Sequence, residues 1–272
     1  GAWIRYHDNG QLRDERNWKN GKKDGAWISY HDKSQLHEKG NFKKDKKKGA
    51  WIRYHDNGQL DYKVKWKNGE KDGAWISYWK NGQLKSKGDY TNDIQEGDWI
   101  RYHSYGQLWE KGNYKNGKKE GPWVYNWGIG LLRKKGNYKN GEKDGAWIEK
   151  SYYSRGVNFN VAVPIKGFGS RLCEGRKEEG FYTMDKREGL WILTDNMVEI
   201  YSENGKSLQE KIVKVGVSKG KYNNGMKEGL WVEYERSNNS EEKGNYKNGK
   251  REGLWVGHLG KYGALIYKGN YK

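Results

Sequence analysis

The chain has 272 residues, with 53 Lys and Arg against 35 Asp and Glu, for a formal net charge of +18. Only 33% of residues are apolar and 32% are charged, which argues against a thick two-layer core. Yet 15% are aromatic, which excludes disorder, because disordered chains are poor in Trp and Tyr. The single Cys excludes an internal disulfide, and no stretch is apolar enough to form a membrane-spanning helix.

Ala2 to His7 reads as a short strand rich in aromatic and β-branched residues. Asp8-Asn9-Gly10-Gln11 follows as a tight turn, because Asn-Gly tolerates the positive φ angles of a type I′ hairpin. Leu12 to Trp18 returns as a second strand, and Lys19 to Gly25 reverses the chain into the next copy. A two-residue turn at Asn9-Gly10 sets His7 opposite Leu12, Arg5 opposite Asp14 and Trp3 opposite position 16. A three-residue turn would break that register throughout.

Gly-x-Trp marks each copy of this unit. It begins at Gly1, Gly25, Gly49, Gly73, Gly97, Gly121 and Gly145, 24 residues apart, and then at Gly189, Gly229 and Gly253. A fixed period of this length means small units that bury apolar surface only by stacking on neighbours. With every connection a hairpin, the expected fold is all-β: an elongated single-layer antiparallel β-meander of about eleven 24-residue two-stranded repeats. One continuous array is expected over residues 1–272.

Equivalent residues two strands apart form rows about 9–10 Å in repeat. The row Trp3, Trp27, Trp51, Trp75, Trp99, Trp123, Trp147, Trp191, Trp231 and Trp255 is read as the structural core. Thirteen residues after the Trp, most copies have glycine, as in Trp27/Gly40 and Trp75/Gly88. An indole over that cross-strand glycine would cover exposed backbone. The copies with Arg16 and Val64 depart from the pattern. A second aromatic row runs through Trp18, Phe42, Trp66 and Tyr90, and an Ile row through Ile4, Ile28 and Ile52 lies on the opposite face.

The Lys-rich turns gather along one edge. Lys22, Lys23, Lys46, Lys47, Lys48, Lys118 and Lys119 form a candidate edge for anionic lipid or nucleic acid. The alternative is a solvated edge that resists sheet-to-sheet association. Asp24, Asp72 and Glu120 stand among these lysines and dilute the field.

Lys111-Gly112-Asn113-Tyr114-Lys115-Asn116-Gly117-Lys118-Lys119-Glu120-Gly121 resembles a MORN repeat, with Gly-x-aromatic, then Asn-Gly, then Gly four residues on. The Trp-x-x-Tyr and Asn-Gly-Gln-Leu half is similar to the bacterial variant of that repeat, found in antitoxin-like proteins. The resemblance covers nearly the whole chain. It implies scaffolding between proteins, attachment to membrane lipid or neutralisation of a toxin, and assigns none of these to a particular residue.

Two segments leave the period. Tyr182 follows Trp147 by 35 residues and Tyr222 follows Trp191 by 31, where other copies have 15. The insertions, at about 149–170 and 197–218, are candidate partner-binding segments through Tyr152, Tyr153, Phe159, Met197, Ile200 and Tyr201. Lengthened strands are the alternative, and the second insertion reads as a hairpin around Asn204-Gly205.

No catalytic constellation emerges. His7, His31, His55 and His103 keep the period, but rows about 9–10 Å apart cannot share a metal with ligands near 2 Å. Lone Cys173 has no base at a suggestive spacing. Neither metal nor cofactor is expected.

The leading expectation is a non-enzymatic protein-binding scaffold or an antitoxin- or immunity-type neutraliser. The alternatives are a peripheral binder of anionic lipid or nucleic acid through the Lys edge, and a carbohydrate binder through exposed aromatic rows such as Trp79, Trp109 and Trp127. The chain opens without Met, so a processed, exported piece of a longer array stays open, although a lone Cys slightly favours the cytoplasm.

Overall fold

The computed structural model describes all residues except 129, 154–170, 202–208, 236–238, 260–263 and 272. The side chains of 153, 171–175, 195–201, 209–215 and 266 also fall outside the described part. The described residues contain strands and turns and no helix.

The chain divides into two compact units, Gly1–Lys119 and Glu120–Lys272. The first contains β1 (Ala2–Tyr6), β2 (Leu12–Lys19), β3 (Lys22–Tyr30), β4 (Leu36–Lys43), β5 (Lys46–Tyr54), β6 (Leu60–Lys67), β7 (Glu70–Tyr78), β8 (Leu84–Thr91), β9 (Ile94–Tyr102) and β10 (Leu108–Lys115). The second contains most of β11 (Lys118–Asn126), then β12 (Leu132–Lys139), β13 (Glu142–Tyr153), β14 (Arg171–Thr183) and β15 (Lys186–Tyr201). It ends with β16 (Gln209–Asn223), β17 (Met226–Glu235), β18 (Ser240–Lys247), β19 (Lys250–Leu259) and β20 (Ala264–Tyr271). Within each unit successive strands pair antiparallel, so the architecture is an open meander of consecutive hairpins.

The type I′ turns are on the other edge from the one expected. Asn20 and Gly21 both have positive φ, at 51° and 72°, between paired Lys19 and Lys22. Asn68-Gly69 and Asn248-Gly249 do the same. At Asp8-Asn9-Gly10 only Gly10 is left-handed, at 79°, and His7 N–H donates to Gln11 O at 2.8 Å. This is a three-residue turn, a type I turn closed by a left-handed glycine. Tyr6 therefore faces Leu12, and His7 does not.

The expected register nevertheless returns further along. Arg5 faces Asp14 and Trp3 faces Arg16, because a bulge between Arg5 and Tyr6 takes up one extra residue on β2. The longer turn and the bulge cancel. The glycine of Gly-x-Trp serves a second bulge: Asp24, Gly25 and Ala26 together face Asn17, with Gly25 at φ 110°.

One face of the sheet is a chain of aromatic rings. Phe42 meets Trp51 edge-on at 5.0 Å, Tyr90 meets Trp99 at 5.1 Å, and in the second unit Tyr222 meets Trp231 at 5.1 Å. Each indole leans back onto the preceding hairpin. A Cβ on Gly40 would fall within 3.0 Å of the Trp51 ring, one on Gly180 would strike Trp191, and one on Gly244 would strike Trp255. The glycine thirteen residues after a Trp does face it in register, as in Trp27–Gly40 and Trp75–Gly88, but the indole that covers a glycine comes from the Trp eleven residues after it, which corrects the expected cover. The indole N–H then finds the next carbonyl, as in Trp51 Nε1–Asn41 O at 3.2 Å and Trp255 Nε1–Asn245 O at 3.1 Å.

This rule accounts for the two irregular copies. Trp75 meets Val64 at that position, and Trp27 meets Arg16. The Trp75 indole turns instead to Ser86 Oγ at 2.9 Å and stacks on Tyr62, while Trp27 takes the Arg16 guanidinium 4.1 Å from its ring centre. Both remain half-buried, whereas Trp51, Trp99, Trp123, Trp147, Trp191, Trp231 and Trp255 are buried. Trp3 is 64% exposed, so it does not belong to the core expected of it.

The histidine row has a structural role. His7, His31 and His55 place Nε2 at 3.1–3.2 Å from the carbonyls of Tyr30, Tyr54 and Tyr78. Trp79 fills the same slot, donating from Nε1 to Tyr102 O at 3.1 Å. Since an indole nitrogen can only donate, the slot requires a donor, which sets the Nε2–H tautomer for the histidines.

Candidate functional site

The sheet presents three surfaces: the aromatic face, the opposite face and the Lys-rich turn edge. The seven edge lysines divide between them. Lys22, Lys46, Lys48 and Lys118 are exposed, as expected of an edge. Lys23, Lys47 and Lys119 instead fold onto the aromatic face, because alternation along the strand puts them on the side of the Trp. The Lys47 ammonium stands 3.7 Å from the Trp51 ring centre and 3.4 Å from Glu38. Lys23 stands 4.9 Å from the Trp27 ring centre. Lys119 lies 3.6 Å from Glu110, and burial draws its ammonium below the ordinary lysine value. These three are thus not available to a polyanion at the edge.

Edge turns are also tied to one another. The Asp45 N–H donates to Lys23 O at 2.9 Å while its carboxylate accepts from the Lys23 N–H at 2.8 Å. At Asn-Gly turns the acceptor is a Glu, as in Asn116 N–H to Glu96 at 2.7 Å and Asn248 N–H to Glu228 at 2.9 Å. The acidic residues among the lysines hold turns as well as dilute charge.

The aromatic face is electrostatically closed. Asp14, 1% exposed, accepts from Arg5 Nη2 and from Arg16 Nη2, each at 3.0 Å. Arg101 pairs with Glu110, and Arg187 with Glu178. Burial, reinforced by Glu38, pushes the Tyr62 hydroxyl up to about 12. In the second unit a hollow of about 280 Å³ is lined in part by Arg176, Lys227, Glu233, Glu242 and Arg251. Arg251 reaches Glu233 at 2.9 Å and Glu242 at 2.7 Å, and Lys227 pairs with Glu233. Burial alone would raise Glu233, but donors from Lys227, Tyr246 and Arg251 outweigh it and hold the carboxyl below its usual range. Its charges answer one another, and Glu233 is held in the form that cannot donate a proton.

The flanks of the two insertions lie on adjacent strands, which their separation in sequence did not show. Tyr153 pairs with Glu174, Arg171 to Gly175 pair with Ile200 to Asn196, and Tyr201 pairs with Gln209. Their flanks lengthen β13 to β16 side by side. Tyr152 is buried at 8% exposure, so it is not a contact residue for a partner. Phe159 lies outside the described residues, as do the side chains of Tyr153, Met197, Ile200 and Tyr201.

Sequence reading missed an apolar row on the face opposite the Trp. The middle residue of Gly-x-Trp is Ala2, Ala26, Ala50, Ala74 and then Asp98 in the first unit; in the second it is Pro122 and Ala146, and then Leu190, Leu230 and Leu254. These leucines are 52%, 62% and 48% exposed, and Phe181 and Ile192 are exposed on the same face. Of the off-row indoles, Trp109 is exposed, whereas Trp79 and Trp127 are half-buried. The change from Ala to Leu was visible in the chain; its exposure was not.

No group of His, Cys, Asp and Glu among the described residues could hold a metal ion, and no helix among them is long and apolar enough to cross a membrane. The fold and these surfaces define a β-hairpin repeat protein with open sheet faces. The MORN repeat variant model matches residues 1–20, 23–44, 47–68, 71–92 and 95–116. The match comprises five consecutive repeats within residues 1–116, and repeats of this kind generally serve as protein- or membrane-binding modules. No curated protein matches the chain.

Proposed function

We propose that the chain is a non-enzymatic scaffold that binds a protein partner through the face opposite the Trp row in Glu120–Lys272. The observation that carries this reading is the exposed row of Leu190, Leu230 and Leu254, flanked by Phe181 and Ile192. Exposed apolar side chains repeated along one face, with Lys221 and Asn245 on the strands between them, suit a protein partner. The switch from Ala to Leu also has no packing role, since the indoles on the other side are buried without it. On this reading residues 1–272 form one array of related repeats, and the paired insertions frame the binding face. Neutralisation of a toxic partner by masking is one activity such a face supports.

The test is affinity capture from the source organism with the natural chain and with Leu190→Ser, Leu230→Ser and Leu254→Ser combined. A partner retained by the first and lost by the second, at unchanged melting, supports the reading. If that partner is toxic when expressed alone and harmless with the natural chain, it is neutralised. Equal capture by both proteins overturns the assignment to this face.

A further inference from the structure

On the face opposite the Trp row, the first unit carries a comb of lysines that the turn edge does not include. Lys39 faces Ile28 and Ile52, Lys63 faces Ile52 and Ile76, Lys87 faces Ile76 and Ile100, and Lys111 faces Ile100. The four stand on β4, β6, β8 and β10, so successive lysines are two strands, or about 9–10 Å, apart. All four are exposed, and none makes an ion pair or side-chain hydrogen bond among the described residues. Cations on the aromatic face behave differently: Arg5, Lys47, Arg101 and Lys119 all pair with carboxylates. Half-buried Tyr30, Tyr54, Tyr78 and Tyr102 run alongside, two residues beyond the Ile row on the same face. Asp89 and Asp98 stand one row away toward the turns.

A bland role exists for part of this arrangement, since lysine stems cover isoleucine side chains while their charges stay in water. That role explains the stems and not four unpaired cations in successive repeats, which begin after Glu15 in the same row. Edge protection does not apply, because these lysines are on the face of central strands.

We infer that this comb binds a linear anionic polysaccharide in which an acidic sugar alternates with a neutral one. Such a polymer has one carboxylate per disaccharide, and a disaccharide is close to two strand spacings in length. Its neutral rings then lie over Ile and beside Tyr, where an apolar sugar face packs well. Other polyanions fit less well. An extended acidic peptide repeats its same-side charges at about 6.6 Å. A stacked nucleic acid strand has a phosphate roughly every 3.4 Å. A sheet twists by roughly 20° per strand, so lysines spread over seven strands do not share a plane. A flexible polymer can follow them, whereas a flat bilayer cannot.

The experiment uses the full chain and oligosaccharides of alternating glucuronate and N-acetylglucosamine at low salt. The comb variant combines Lys39→Gln, Lys63→Gln, Lys87→Gln and Lys111→Gln. The edge control combines Lys22→Gln, Lys46→Gln, Lys48→Gln and Lys118→Gln, which removes the same charge. Affinity should rise with oligomer length up to four disaccharides, one carboxylate per lysine, and then level off. The comb variant should bind at least about tenfold more weakly with a flatter salt dependence, because fewer counterions are released. The edge control should stay within about twofold of the natural chain, and both variants should melt with it. Equal loss in both variants, no binding at low salt, or tighter binding to single-stranded nucleic acid or anionic vesicles would overturn the assignment. A comb variant that fails to fold is replaced by the four single variants, whose losses should be similar in size; unequal losses confined to one lysine also overturn it.

Discussion

The indole of Trp51 rests on Gly40 of the preceding hairpin, not on Val64, which faces it across its own hairpin. That lean connects one repeat to the one before it. Burial of each Trp therefore depends on the residue eleven positions earlier, and a side chain there displaces the indole, as Val64 does that of Trp75.

The first expectation follows from that contact. Gly40→Ala places a methyl inside the Trp51 ring and should cost roughly 1–3 kcal/mol as local overpacking. Gly269→Ala is the control, because nothing approaches within 4 Å of a Cβ at that position. It should be neutral or stabilise by about 0.4–1 kcal/mol, through the unfolded chain. Urea melts of the two variants distinguish them, and equal effects would remove the close-approach account.

The members of the Trp row should not be equivalent. Trp51→Ala should cost roughly 3–5 kcal/mol, as expected for a fully buried aromatic. Exposed Trp3→Ala should stay within about 0.5 kcal/mol. Trp75, displaced by Val64, should fall between them. A flat profile across the three in denaturant titrations would show that burial does not set the energetics of the row.

Asp45 occupies a left-handed position, at φ 67°, in a type I′ turn and joins it to Lys23. Asp45→Val combines a β-branched residue in that region with a lost hydrogen bond and should cost about 2 kcal/mol or more. Asp45→Gly relieves the backbone while losing the carboxylate, and should remain within about 0.5 kcal/mol. Thermal melts compare them directly, and a Gly variant as damaged as the Val variant would place the whole effect in the carboxylate.

His37 should make stability depend on pH. Burial is the main reason its pKa is lowered, with the His31 ring 4.5 Å away and Arg53 adding to the effect, against Glu38 and Asp61. A depressed histidine pKa means that the unfolded chain binds the proton first as pH falls. Stability is then complete above the unfolded value, near 6.5, and declines as pH drops toward the folded value. His37→Asn should flatten that decline in urea midpoints measured across the range. An unchanged profile would assign it to other groups.

Much of the architecture was legible in the residues themselves. Asn-Gly turns and a 24-residue period make hairpins because local backbone preferences repeat, and alternation assigns Trp and Ile to opposite faces. The Arg5–Asp14 pair and the Trp3–Arg16 register could be read in advance for the same reason. Three things could not. A three-residue turn followed by a bulge arrives at the same register as a two-residue turn, so counting residues cannot separate them. An indole on a strand can lean toward either neighbouring strand; only the packed sheet shows that it takes the earlier one, where glycine leaves room. Consecutive lysines in a turn look alike in sequence, but alternation sends Lys47 onto the Trp51 ring and leaves Lys46 and Lys48 in water. The flanks of the two insertions, far apart along the chain, become neighbours because antiparallel pairing places β14 beside β15. Local chemistry thus determined what each repeat is, and contacts between repeats decided which surfaces remain free to bind.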